Sequence, residues 1–149
     1  MSKVQETIDV DVPVSTAYNQ WTQFEDFPLF MDGVEEITQI DDRHNHWKTK
    51  IAGVSREFDT EIVDQVPDDH VSWRTTTGEV KQTGMVSFQP IDAHHTRVVM
   101  SMDFQPEGLA EKAADMMNML DRQVKGDLKR FKHFIEKRGT ETGSYREHL

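Results

Sequence analysis

Cysteine is absent from this chain of 149 residues, which excludes a disulfide framework, a cysteine-type zinc site and any thiol nucleophile. Long apolar runs are missing too: no stretch approaches the roughly 20 residues that a bilayer-spanning helix needs. Cations are few, 17 Lys and Arg against 27 Asp and Glu, for a net charge of −10. That balance excludes a general nucleic-acid binder, because a polyanion is repelled over most of the surface. The opening Met-Ser-Lys-Val-Gln-Glu has neither the basic start nor the apolar core of a secretory signal. No Gly-x-Ser-x-Gly elbow, phosphate-binding loop or Gly-x-Gly-x-x-Gly fingerprint occurs, so hydrolase and nucleotide readings lack support and no cofactor is expected. The expectation is a soluble, cytoplasmic protein, monomeric or homodimeric.

What is present is core material: eight Phe, eight Met and three Trp, with 36% apolar residues overall, enough for one domain with a real core. The acidity is uneven. Met1 to Asp121 holds 9 basic and 23 acidic residues, whereas Arg122 to Arg138 holds 7 basic and 2 acidic. Basic residues near a helix C-terminus are favoured by the macrodipole, and the same cluster is the one surface suited to an anionic partner or membrane.

Val4–Val12 alternates Ile8, Val10 and Val12 against Thr7, Asp9 and Asp11, the pattern of a half-buried strand. Pro13 ends it, and Ser15 can cap a short helix carrying Ala17, Tyr18, Trp21 and Phe24. A second short helical piece runs through Phe27-Pro28-Leu29-Phe30-Met31 to Asp32-Gly33. Six strands follow, at Val34–Ile40, His46–Val54, Arg56–Val66, Val71–Thr76, Gly84–Pro90 and Thr96–Phe104, separated by turn residues. With no helices between them they form an antiparallel meander. From about Leu109 to Lys137 apolar residues recur every three or four positions, predicting one helix roughly 40 Å long. Gly126 inside it marks a bend or close contact, and Gly139 suits its C-terminal cap. The polar Thr140–Leu149 reads as a disordered tail, leaving 1–139 as one ligand-binding domain. The order is α+β: a seven-stranded antiparallel sheet wrapped around a long C-terminal helix, with two short helices after the first strand. A cavity is expected between sheet and helix.

The residues Phe27-Pro28-Leu29-Phe30-Met31 before Gly33-Val34, then His46-Trp47, Pro67 before Val71-Ser72-Trp73-Arg74, Gly78, Gly84-x-Val86-x-Phe88, Thr96-x-Val98 and Asp127-Leu128-x-Arg130-Phe131-Lys132 carry a resemblance. In order and spacing the chain is similar to the helix-grip superfamily often called SRPBCC, which includes pollen-allergen-like proteins, START steroid-transfer domains, polyketide cyclase/dehydrases and coenzyme-Q-binding proteins. The bacterial cyclase/dehydrase group matches best. The resemblance implies a deep, mostly apolar pocket for a lipid-like or polycyclic molecule. It leaves open a carrier, a cyclase/dehydratase-type enzyme and a membrane-associated quinone or lipid chaperone. Aromatic-polyketide cyclases use a tyrosine and a pocket arginine where this chain has Gly33 and Gln65, neither of which supplies the hydroxyl or the guanidinium.

By alternation the cavity would be lined by Trp47, Phe58, Trp73, Phe88, Met100 and Met102 from the sheet and by Met116, Met117 and Leu120 from the helix. Phe27, Phe30 and Met31 would stand at its mouth. Methionine thioethers adapt to varied shapes, and the tryptophans can stack on a flat ligand. Tyr18 offers a hydroxyl from the first helix. Arg74, Asp59 and Glu61 fall on the outward face, because an unpaired buried charge is expensive. His44 and His46 share a strand face, but a metal site needs three or four converging ligands, so no metal is expected there. His94 and His95 read as exposed turn residues.

Overall fold

In the computed structural model, residues 2–51, 53–78, 81–104 and 110–147 are described, the side chains of residues 2, 51, 54, 104 and 110–117 excepted. Seven strands form one antiparallel sheet: β1 (Ser2–Val10), β2 (Val34–Gln39), β3 (His44–Ile51), β4 (Val54–Val66), β5 (His70–Gly78), β6 (Gln82–Asp92) and β7 (His95–Phe104). Their spatial order is β1-β7-β6-β5-β4-β3-β2. Each strand from β2 to β7 therefore pairs with its sequence neighbour, as the short turns dictate. The two edges, β1 and β2, are joined through α1 (Val14–Trp21) and a 3-10 helix (Phe24–Leu29). The chain then closes with α2 (Ala110–Arg138). This is the curled, helix-grip α+β architecture that the order of elements predicts.

One face of the curled sheet supplies the core. Val4, Val10, Trp47, Phe58, Ile62, Val71, Trp73, Val86, Phe88, Val98 and Met100 are buried, and each sits at the strand parity that points inward. The stripe of α2 answers with Val124, Leu128, Phe131 and Ile135, also buried. Burying each such side chain contributes about 1.5–3 kcal/mol. At one end the short helices add an aromatic cluster: Trp21 lies 5.2 Å from Phe27, 5.7 Å from Phe30 and 5.2 Å from Phe131, centroid to centroid. Asp127 on α2 fastens the same end, accepting hydrogen bonds from the Asp32 backbone N–H at 3.3 Å and from Arg130 at 2.5 Å. Arg130 in turn donates to the Phe30 carbonyl at 3.1 Å.

Several local expectations change on folding. Ser15 does not cap α1, whose N-cap is Pro13; its hydroxyl instead donates to Asp68 at 2.9 Å. Gly126 is a close contact, with the Arg130 guanidinium 3.1 Å from where a Cβ would stand. Gly139 ends α2 at φ +74°, donating to the Ile135 carbonyl at 2.8 Å. The segment after it, read from composition as a disordered tail, is hydrogen-bonded along α1 as far as Arg146. Thr142 exchanges bonds with Gln20 at 2.9 and 3.0 Å, Tyr145 N donates to Thr22 at 3.0 Å and Arg146 donates to Asn19 at 2.7 Å. Those bonds answer the polar groups of Asn19, Gln20 and Thr22, which are buried on α1.

Two tryptophans shape the inner face. Trp73 on β5 is paired across the sheet with Gly84 on β6, and its indole occupies the place of a side chain there: a Cβ on Gly84 would fall 2.5 Å from Trp73 Cζ2. Gly84→Ala is therefore expected to cost about 1–3 kcal/mol through overpacking and to shift the tryptophan emission. Urea denaturation checks it, and a loss below about 0.5 kcal/mol would show that the indole moves aside freely.

Candidate functional site

The inner face is not uniformly sealed. Beneath α1 and the C-terminal half of α2, Val10, Val71, Val86 and Val98 are wholly buried. Toward the other end of the sheet, Trp47, Thr49, Phe58, Trp73, Met100 and Met102 each retain between 4% and 9% of their surface. Trp47 and Phe58 stack in parallel, 5.8 Å between centroids and 13° between planes. Trp47 Nε1 donates to Thr60 Oγ1 at 2.8 Å, so the indole is fixed against β4. Apart from Thr49 these residues are apolar, and they form a floor of ring faces and thioethers on the inner side of the sheet.

Other residues expected at the site take different roles. Phe88 is buried edge-on against Tyr18, 5.6 Å away, as part of the packing under α1. Leu120 is partly buried and packs on the core. Phe27, Phe30 and Met31, expected at a mouth, are buried. The two phenylalanines belong to the aromatic cluster around Trp21, and Phe27 also meets Trp47 at 6.0 Å. The side chains of Met116 and Met117 lie outside the described residues.

The polar groups on this face are nearly all uncharged. Asn45, Thr49, Thr60 and Gln65 are buried. Gln65 reaches the inner face because a bulge between Ile62 and Asp64 shifts the β4–β5 register and leaves Val63 exposed. Its amide donates to the Tyr145 carbonyl at 3.3 Å. Burial raises the Tyr18 phenol above its ordinary value, and Gln65 and Arg146 oppose that rise. Its hydroxyl closes no hydrogen bond of good geometry among the described residues, although the Arg146 guanidinium lies 5.6 Å from the ring centre. Glu6, at inward parity on β1, meets Lys125 at 3.3 Å. Asn45 is the residue that pattern reading missed: extending the alternation of Trp47 and Thr49 two residues toward the turn places it inward.

Other charged groups of the sheet lie on its outer face. Arg74 holds Glu61 with contacts at 2.8 and 3.2 Å, as outward parity requires. Four histidines each sit between two carboxylates: His44 between Asp41 and Glu61, His46 between Glu57 and Asp59, His70 between Asp64 and Asp69, and His95 between Asp11 and Asp92. No group of three or more metal-ligating side chains converges among the described residues.

A sequence profile of the family described as polyketide cyclase/dehydrase and lipid transport matches residues 10–132. The chain belongs to that family. A curated relative, an uncharacterized 17.2 kDa protein in the melC2-rnhH intergenic region of Streptomyces lincolnensis, is 56% identical over 146 residues, covering 98% of this chain and 97% of the relative. Among solved structures, the ZhuI aromatase/cyclase of Streptomyces sp. R1128 is similar with a TM-score of 0.77 at 16% identity, covering 96% and 98% of the two chains. A START superfamily protein of Mycobacterium smegmatis gives 0.68 at 16% identity, covering 91% and 95%. At such identities the two structures show the fold, and the family match agrees with the resemblance read from the sequence. No helix among the described residues is long and apolar enough to cross a membrane.

The outer-face pairs give a pH dependence with a definite sign. The neighbouring carboxylates hold His44, His46 and His95 above the ordinary imidazole value. For His70, burial pulls downward but Asp64 and Asp69 outweigh it. A raised histidine stabilises the fold fully below its unfolded value of about 6.5 and loses that contribution as pH rises through the folded value. Asp41, Asp59, Glu61 and Asp92 are held low by hydrogen bonds and nearby cations, so their contribution is lost as pH falls through their folded values. Asp127, raised by burial, has the opposite sign, its effect on stability becoming less favourable as pH rises from about 3.9 through its folded value. Urea denaturation at constant ionic strength is expected to show a maximum between about pH 4.5 and 6.5 and a fall toward pH 8. Stability that rises over that upper interval contradicts this assignment.

Proposed function

We propose that the protein binds a hydrophobic small molecule between the inner face of the sheet and α2, residues 1–139 forming the binding domain and Trp47, Phe58, Trp73, Met100 and Met102 its floor. The carrying observation is the apolar floor itself: Trp47, Phe58, Trp73, Met100 and Met102 each keep between 4% and 9% of their surface, whereas Val71, Val86 and Val98 keep none. Membership in a family described by polyketide cyclisation and lipid transport supports a lipid-like, polyketide-like or quinone-like ligand.

Binding is favoured over cyclase/dehydratase chemistry by what faces that floor. Such chemistry needs a positioned proton donor or acceptor at the substrate. The described inward groups are amides and hydroxyls, while the inward carboxylate of Glu6 is engaged by Lys125. Gln65 is turned to a backbone carbonyl, and Gly33 has no side chain to contribute. Native mass spectrometry of protein purified from its own source is expected to show a co-purifying lipophilic molecule. The purified protein should also take up a lipophilic dye such as Nile red, with several-fold weaker uptake in Trp73→Ala. A consistently empty protein that takes up no dye ends this reading.

A second reading concerns delivery. Arg122, Lys129 and Lys137 are exposed along α2 and make no ion pair among the described residues, in a chain whose net charge is −10. This row supports docking on an anionic lipid surface, worth about 1 kcal/mol per cation near the headgroups. Co-sedimentation with phosphatidylserine vesicles at low salt, fading as salt is raised, is the expected result; no binding at low salt refutes it.

A further inference from the structure

Asn45 presents an anomaly in the energetics of the inner face. Only 1% of the residue is accessible, and neither Oδ1 nor Nδ2 has a hydrogen-bond partner among the described residues. A buried amide left unpaired on both atoms forfeits the interactions that water would give it in the unfolded chain. Native proteins satisfy nearly all such groups, so an exception calls for a physical reason. The neighbours do not provide one. On β4 the cross-strand partner is Thr60, whose hydroxyl is engaged by the Trp47 indole. On β2 the partner is Gln39, which is exposed.

The position of the amide explains what it could satisfy. Along the same face of β3, Trp47 and Thr49 follow at two and four residues, and they retain 7% and 9% of their surface. The accessible floor therefore begins one pleat from the amide. A ligand lying on Trp47 and Phe58 would bring one end to Asn45, with a small movement of the indole that now rests against Thr60. The amide offers two N–H donors on Nδ2 and an acceptor oxygen, and it carries no charge. The nearby buried polar groups, Thr49 and Thr60, are also uncharged. An ionised ligand head would arrive there without a counter-ion, which is costly in a dry site.

Resting on the binding function proposed above, we infer that Asn45 is the hydrogen-bonding anchor of the ligand, and that the ligand's polar group is a neutral hydroxyl or carbonyl rather than a carboxylate or phosphate. The apolar floor holds the body of the molecule and Asn45 sets its direction and selects the chemistry of its end.

Calorimetric titration of the full chain with naphthol, naphthalene and naphthoate at neutral pH tests this, the ring system being constant and only the substituent varying. The intact protein is expected to bind naphthol about tenfold more tightly than naphthalene, the worth of one net hydrogen bond, and to bind naphthoate most weakly. Asn45→Leu, which keeps the branching of the side chain without its polar atoms, is expected to keep its affinity for naphthalene, to lose the tenfold preference, and to melt no lower than the parent, because the unpaired amide is gone. Asn45→Ala serves the same comparison should the leucine variant not fold. The inference is overturned if the intact protein ranks naphthoate first or treats the three alike, or if the preference survives in the variant. A lowered melting temperature with an unchanged ranking would assign Asn45 to packing alone. Binding of none of the three compounds, together with no uptake of lipophilic dye, would remove the binding function itself.

Discussion

The structure depends on a mismatch of widths. Seven strands spaced about 4.8 Å apart span roughly 29 Å, whereas one helix with its side chains is about 10–12 Å across. A single helix can bury an antiparallel sheet of that size only if the sheet curls toward it. Even then the stripe of Val124, Leu128, Phe131 and Ile135 covers only part of the inner face. The aromatic cluster of Trp21, Phe27 and Phe30 seals one end. The region of Trp47, Phe58, Trp73, Met100 and Met102 keeps between 4% and 9% of its residues' surface accessible. The candidate site is thus the part of the concave face that the helices do not finish packing.

Charge is distributed so as not to disturb that face. Carboxylates and histidines pair across the outward side of β3, β4 and β5, where water solvates them and their mutual interactions are modest. The inward polar groups are amides and hydroxyls, and Glu6 stands at the sheet's edge beside Lys125. Asp127 is the buried carboxylate of α2, and it is satisfied by Arg130, Gln123 and the Asp32 backbone. Its position ties the long helix to the segment leading into β2, holding the sealed end closed. The C-terminal segment extends the same principle, supplying partners for polar side chains that α1 buries.

Most of the architecture was legible as periodicity. Alternation along Val71, Trp73 and Thr75 identified inward residues, the three- and four-residue steps after Ala113 identified the helix, and outward parity settled Arg74, Asp59 and Glu61. The departures have local causes. Phe27 and Phe30 read as a mouth because their segment is short and aromatic, yet ring contacts from three elements draw them inside. The segment after Gly139 read as a tail because its partners, Asn19 and Gln20, lie more than a hundred residues earlier in the chain.

By itself the sequence determined the class of fold, the meander of strands after the short helices, most of the inward apolar side chains and the lack of thiol chemistry, since each follows from residue type and short-range spacing. The tertiary structure alone decided which inward residues are packed solid and which keep some accessibility, because that depends on where one helix and a few aromatic rings fall on a curled sheet. It also decided that Gln65 is engaged by a backbone carbonyl while Asn45 has no hydrogen-bond partner among the described residues. Hydrogen-bond satisfaction is a property of assembled neighbours, and no spacing along the chain records it.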